Sequence, residues 1–162
     1  MGTNPNLDLR AVVATARSDS HQPQAAYIEL LLEEAGFVTH NEGVCVPDDE
    51  LVRCCRDLNP DLVVMVSNNG HGTTDCENTP RALKEGGIDT TIVIGGRPMV
   101  RETDVPAAIE MFYERGFDGV FVGSNAVADF LEFLERIRHA FGNMRPGSAP
   151  GTTRRWGSSP DA

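Results

Sequence analysis

The chain has 162 residues, the size of one ordinary domain, and its 40% hydrophobic content is enough for a core of its own. Its 14 basic against 24 acidic residues leave a net charge of −10, which argues against binding nucleic acid phosphates or an anionic membrane surface. No run reaches the roughly 18 apolar residues of a membrane span, and Met1 to Asn6 lacks a basic segment leading into an apolar one, so a cytoplasmic protein is expected.

Leu9 to Ala16 is a short apolar run between polar segments, the pattern of a buried parallel strand. In the polar loop from Ala16 to Gln24 that follows, Pro23 suits the first turn of a helix. Ile28, Leu31, Leu32 and Ala35 then recur at helical spacing until Gly36 ends it. Phe37 to His40 reads as a second strand. Asp48, Asp49 and Glu50 open the next helix, where carboxylates complement its dipole, and Leu51, Cys54, Cys55 and Leu58 follow at i, i+3, i+4, i+7. Asn59-Pro60 stops that helix.

Leu62 to Val66 is the most strand-like run and the expected central strand. It discharges into Ser67 to Thr74, a loop whose glycines let backbone approach a ligand closely. A weaker helix, interrupted by Pro80, spans Asp75 to Glu85. Thr90 to Ile94 is a fourth strand running into Gly95-Gly96, and a helix covers Val105 to Glu114. Val120 to Val122 is a fifth strand ending in Gly123-Ser124-Asn125, and the last helix carries Val127, Phe130, Leu131, Leu134, Ile137 and Phe141 on one stripe.

Residues 1–8 form an N-terminal extension, 9–141 one domain, and 142–162 a tail rich in Pro, Gly and Ser, expected to be disordered, with Trp156 a stray residue in it. Five strands alternating with helices imply a flavodoxin-like, Rossmann-like, doubly wound five-stranded parallel sheet. The polar loops then share one sheet edge. The four cysteines form no CxxC pair and read as reduced, mostly buried thiols.

No GxGxxG follows the first strand and no GxxxxGK[ST] occurs, so the usual dinucleotide and triphosphate cradles are absent. The end of the third strand holds Ser67-Asn68 rather than the Asp of a phospho-receiver. Asp19, two residues before His21, can hold one imidazole nitrogen and leave the other for a metal or a proton. On the residues alone three readings stay open. One is a metal site using His21 and His71 with Asp19 or Asp75; another is a large cofactor with His21 as axial ligand; the third is a pair of solvated loop histidines.

Ser18-Asp-Ser-His21 resembles the DxHxxG signature of cobalamin-binding domains. Gly70-His-Gly-Thr-Thr-Asp-Cys76 and Gly95-Gly96, with the turns Ala35-Gly36-Phe37 and Asn41-Glu-Gly-Val44, resemble the glutamate mutase (methylaspartate mutase) small-subunit family over about Leu9 to Phe133. The resemblance implies His21 as the cobalt ligand, Asp19 as its orienter, and Ser20, Ser67, Asn68, Gly70, Gly95, Gly96, Gly123 and Ser124 as contacts of adenosylcobalamin. It further implies a separate, larger barrel subunit that holds the substrate. There, cobalt–carbon homolysis drives carbon-skeleton rearrangement of L-glutamate to 3-methylaspartate. His71 would lie near the cofactor tail, with His40 and His139 structural or solvated. Gln24 stands where the signature has glycine, Val66 where the family has serine, and Gly123-Ser124-Asn125 where it has Pro-Gly-Thr. Two alternatives accompany this reading: a corrinoid carrier for methyl transfer, and a non-catalytic partner with weakened cofactor binding, motivated by Gln24 and Val66. A zinc hydrolase built on His21 and His71 lacks a third ligand at convincing spacing.

Overall fold

The computed structural model describes residues 8–143 and the backbone of Trp156–Gly157. The five expected strands are β1 (Arg10–Thr15), β2 (Val38–Gly43), β3 (Leu62–Ser67), β4 (Thr91–Gly96) and β5 (Gly119–Val122), all parallel, in the order β2-β1-β3-β4-β5. A two-residue strand, β6 (Trp156–Gly157), pairs in parallel with Gly119 and Val120. The tail expected to be disordered from 142 on therefore begins with Gly142 and Asn143 at the end of the last helix and contributes one short stretch of backbone to an otherwise open edge; residues 144–155 and 158–162 lie outside the described residues, as does the extension before residue 8.

The helices are α1 (Gln22–Glu34), α2 (Asp48–Leu58), α3 (Gly72–Asp75), α4 (Thr79–Glu85), α5 (Val105–Arg115) and α6 (Ala126–Gly142). Pro80, read from sequence as an interruption, instead sits in the first turn of α4, where its missing N–H costs nothing, so the segment splits into α3 and α4. Alternation along β3 sends Val63 and Met65 to one face and Leu62, Val64 and Val66 to the other. The first face packs against α2, α4 and α5 through Leu51, Cys55, Leu83 and Phe112; the second packs against α1 and α6 through Leu32, Phe130, Phe133 and Leu134. Both faces are covered, which is why β3 is apolar and buried throughout. Cys54, Cys55 and Cys76 are buried free thiols, as expected, whereas Cys45 is exposed.

β1 lies between β2 and β3, so the chain leaves it in opposite directions across the sheet. The crevice at this switch point opens between the loops after β1 and β3. Asp19, His21 and Asn68 occupy those loops.

Candidate functional site

Asp19 is completely buried although it is charged and lies in a loop. Its backbone is pinned from three sides. Its N–H donates to the Ala16 carbonyl (2.8 Å), and its own carbonyl accepts from Thr15 Oγ1 (2.5 Å) and from the Cys45 N–H at the exit of β2 (3.0 Å). Its carboxylate is equally committed. Oδ2 accepts from the Asn68 N–H after β3, and Oδ1 accepts from the His21 N–H (2.9 Å) and lies 2.5 Å from His21 Nδ1. Burial alone would raise the Asp19 carboxyl, but the N–H groups of Asn68 and His21 together with the His21 ring hold it below the ordinary carboxylate range.

His21 stands just before the first turn of α1, with its side chain 48% exposed. With Nδ1 on the Asp19 carboxylate, Nε2 is the ring nitrogen left for a ligand, and the contact fixes how the ring is turned. A second layer fixes the rim. Asp75 accepts from Ser18 Oγ and pairs with Arg17 Nε at 3.2 Å. Asn69 Nδ2 donates to the Ser18 carbonyl (2.9 Å) and hydroxyl (3.0 Å), and Asn69 Oδ1 accepts from the His71 N–H (3.0 Å). Asp75 is thus spent on Arg17 and Ser18. Among the described residues, His21 and His71 form no close group of ligand atoms with Asp19 or Asp75.

Beside this loop a groove of about 160 Å³ opens between α1 and α6. Val64, Val66, Gly95, Gly96 and Phe121 belong to its strand floor; Gln24, Tyr27 and Ile28 come from α1, and Ala126, Val127 and Phe130 from α6. Asn68 joins the groove to the Asp19 loop, and its buried Nδ2 has no hydrogen-bond partner. Two glycines make the floor thin. A Cβ on Gly95 would come within 3.3 Å of the Phe121 carbonyl, and Gly96, at φ +107°, would drive one to 2.3 Å from the Ser67 carbonyl.

Of the residues expected to contact a ligand, Asn68, Gly95 and Gly96 line the groove, and Asp19 and His21 form the loop joined to it through Asn68. Ser67 does not line it. Strand alternation turns Ser67 to the opposite face, where its buried, unpartnered hydroxyl sits 2.6 Å from where a Cβ on Gly72 would be, so it does not substitute for Val66 at the groove wall. Ser20 is exposed in the loop, Gly70 is held beside Val100, and Gly123 and Ser124 are exposed in the turn before α6; none of these four lines the groove. Gln24 and Val66, noted as departures from the family pattern, line it, and so do Tyr27, Phe121, Ala126 and Val127, which were not singled out as site residues. The available signal was the i, i+3, i+4 spacing of Gln24, Tyr27 and Ile28, with Tyr27 an aromatic left 48% exposed.

The B12 binding domain family matches residues 9–124, most of the chain. The glutamate mutase sigma subunit of Halobacterium salinarum is 35% identical over 77% of this chain and 86% of its own length. The chain belongs to the B12-binding family, among the glutamate mutase sigma subunits. Sigma subunit 1 of Haloarcula marismortui is 31% identical over 84% of this chain and 88% of its own. A solved structure of a cobalamin-binding protein from Desulfitobacterium hafniense superposes with a TM-score of 0.64 at 26% identity, covering 80% of this chain and 59% of that one. The family match ends at Ser124, so within the groove it takes in the α1 wall and the sheet floor but not Ala126, Val127 and Phe130 of α6.

Proposed function

We propose that this chain is the cobalamin-carrying subunit of an adenosylcobalamin-dependent carbon-skeleton mutase of the L-glutamate to 3-methylaspartate type, acting with a larger barrel subunit that holds the substrate. The observation that carries the reading is the Asp19–His21 pair beside the groove: a solvent-facing imidazole locked by a buried carboxylate, next to an apolar slot with a glycine floor.

The residues present fit such a cofactor. His21 Nε2 would hold the cobalt, with Asp19 fixing its tautomer and orientation. The groove would hold the cofactor's nucleotide tail, and the unpartnered Asn68 Nδ2 would donate to its polar atoms. When bound, adenosylcobalamin supplies a cobalt–carbon bond whose homolysis starts hydrogen abstraction from the substrate, chemistry that belongs to the cofactor. The protein's part is to hold and orient. Thr15, Cys45 and Asn68 fix Asp19, Asp19 fixes His21, and Tyr27 and Val127 add exposed apolar surface to the groove wall. Gln24 and Val66, where the family signature has glycine and serine, both line the groove, so they shape the tail slot and leave the axial pair untouched.

The test is the absorbance of the protein mixed with adenosylcobalamin and the barrel subunit. A base-off, histidine-on spectrum that His21→Ala abolishes supports the reading; a spectrum identical to that of the free cofactor overturns it.

A further inference from the structure

His40 and Glu42 sit two residues apart on β2, so alternation places both side chains on one face of the sheet's edge strand. That face is the one covered by α2. His40 Nε2 lies 2.6 Å from Glu42 Oε2, and Cys54, on the buried side of α2, comes up against both. One ligand-type atom from each of the three lies within 4.8 Å of the other two. Burial falls off from Cys54, which is buried, through Glu42, partly buried, to His40, exposed, so the trio opens outward like a funnel. Neither histidine, carboxylate nor thiol serves the groove, which lies on the other face between α1 and α6.

We propose that His40, Glu42 and Cys54 form a second metal site on this protein, one that takes a divalent transition cation of the zinc class. The donor set decides the class. Imidazole, carboxylate and thiolate together suit a borderline-soft ion and disfavour magnesium or calcium, which take oxygen ligands. Three protein ligands with the exposed side left for water match an open four-coordinate site. The distances ask little of the fold. Ligand atoms around a tetrahedral zinc stand roughly 3.3–3.6 Å apart, given bond lengths near 2.0–2.3 Å. The His40–Glu42 contact therefore opens by about 1 Å, within reach of χ rotations of an exposed histidine. Loading breaks the Cys54 Sγ–H bond and sends its proton to solvent, while the sulfur lone pair forms the bond to the metal; nothing is oxidised or reduced. In the metal-free protein burial, reinforced by the neighbouring Glu42, keeps the Cys54 thiol protonated, pushed up to about 12. The cation thus replaces the proton that the Cys54 thiol carries. The site is independent of cobalamin binding and stands or falls by itself.

Cobalt(II) titration of the full chain without cobalamin tests it, because a cobalt–thiolate bond produces a near-ultraviolet charge-transfer band that imidazole and carboxylate ligands do not. The expected result is a band that saturates at one cobalt per chain, disappears when zinc is added, and is lost in Cys54→Ser. His40→Gln, at an exposed position that cannot unfold the core, weakens cobalt binding by more than about tenfold, the scale on which even outer-shell changes act. Cys45→Ser, which changes the exposed thiol, and His21→Ala leave the band intact. The absence of a band, a band that survives Cys54→Ser, or cobalt affinity unchanged in His40→Gln overturns the site.

Discussion

Asp19 Oδ1 binds His21 twice, accepting its backbone N–H at 2.9 Å and meeting its ring Nδ1 at 2.5 Å. The two contacts close a short ring that fixes both where His21 begins helix α1 and how its imidazole is turned. Ligand position and ligand orientation are therefore set by one carboxylate oxygen. Asp19→Ala removes both constraints while keeping the axial nitrogen. Cobalamin affinity, followed by spectral titration, is expected to fall about 10- to 100-fold, the usual consequence of losing the group behind a metal-bound histidine, with Asp19→Glu only partly restoring it.

Asp19 also contributes to stability in a pH-dependent way. Its folded carboxyl lies below its unfolded value, so its stabilisation is present above the unfolded value and is lost as pH falls through the folded one. Asp19→Asn keeps an acceptor but loses the charge that meets the Asn68 and His21 N–H groups. Denaturant unfolding at pH 7 is expected to place the variant about 1–3 kcal/mol below the wild type, with the gap closing below about pH 4.

Asp118 behaves in the opposite sense. Burial raises its carboxyl, against the lowering effect of the Ile92 N–H that it accepts at 2.9 Å, and nearby Asp89 raises it further. Asp118→Asn keeps an acceptor for Ile92 and removes a partly buried charge, so at pH 7 it is expected to be as stable as the wild type or more stable by up to about 1 kcal/mol. As pH falls through the raised folded value the wild type loses its charge penalty and regains ground. Parallel unfolding curves at neutral and mildly acid pH check both the difference and its sign.

The groove is open to a steric test away from the axial pair. Ala126 is half-buried at the start of α6 and faces the groove. Ala126→Phe fills part of about 160 Å³ without entering the core, so cobalamin affinity is expected to fall more than about tenfold while the melting temperature changes by only a few degrees. Unchanged affinity would mean that the cofactor tail does not enter between α1 and α6.

The strands, their order of appearance and the helices on both faces were legible because a doubly covered parallel sheet leaves a plain record: apolar runs such as Leu62 to Val66 separated by helical stripes. Asp19 and His21 were legible because their relation is local, two residues apart in one loop. The groove was legible only at Asn68, Gly95 and Gly96, because its other walls come from Tyr27, Val64, Phe121 and Val127 on separate elements. Each of these taken alone reads as core, turn or surface. Ser67 shows a sharper limit. A one-residue difference along β3 decides which face a side chain serves, and Val66, not Ser67, faces the groove. The grouping of Cys54 with His40 and Glu42 was likewise hidden, since a helix meets a strand there across a sequence gap that carries no motif.

The central claim, that His21 supplies the axial nitrogen to cobalt, is tested most directly by electron paramagnetic resonance of the cob(II)alamin complex, with the barrel subunit present, prepared with protein labelled in 15N. If His21 Nε2 binds cobalt, the superhyperfine lines change from triplets to doublets, because the coupled nucleus is then the spin-1/2 nitrogen of the protein. Triplets that persist in the labelled protein would assign the axial nitrogen to the cofactor's own base and contradict the account.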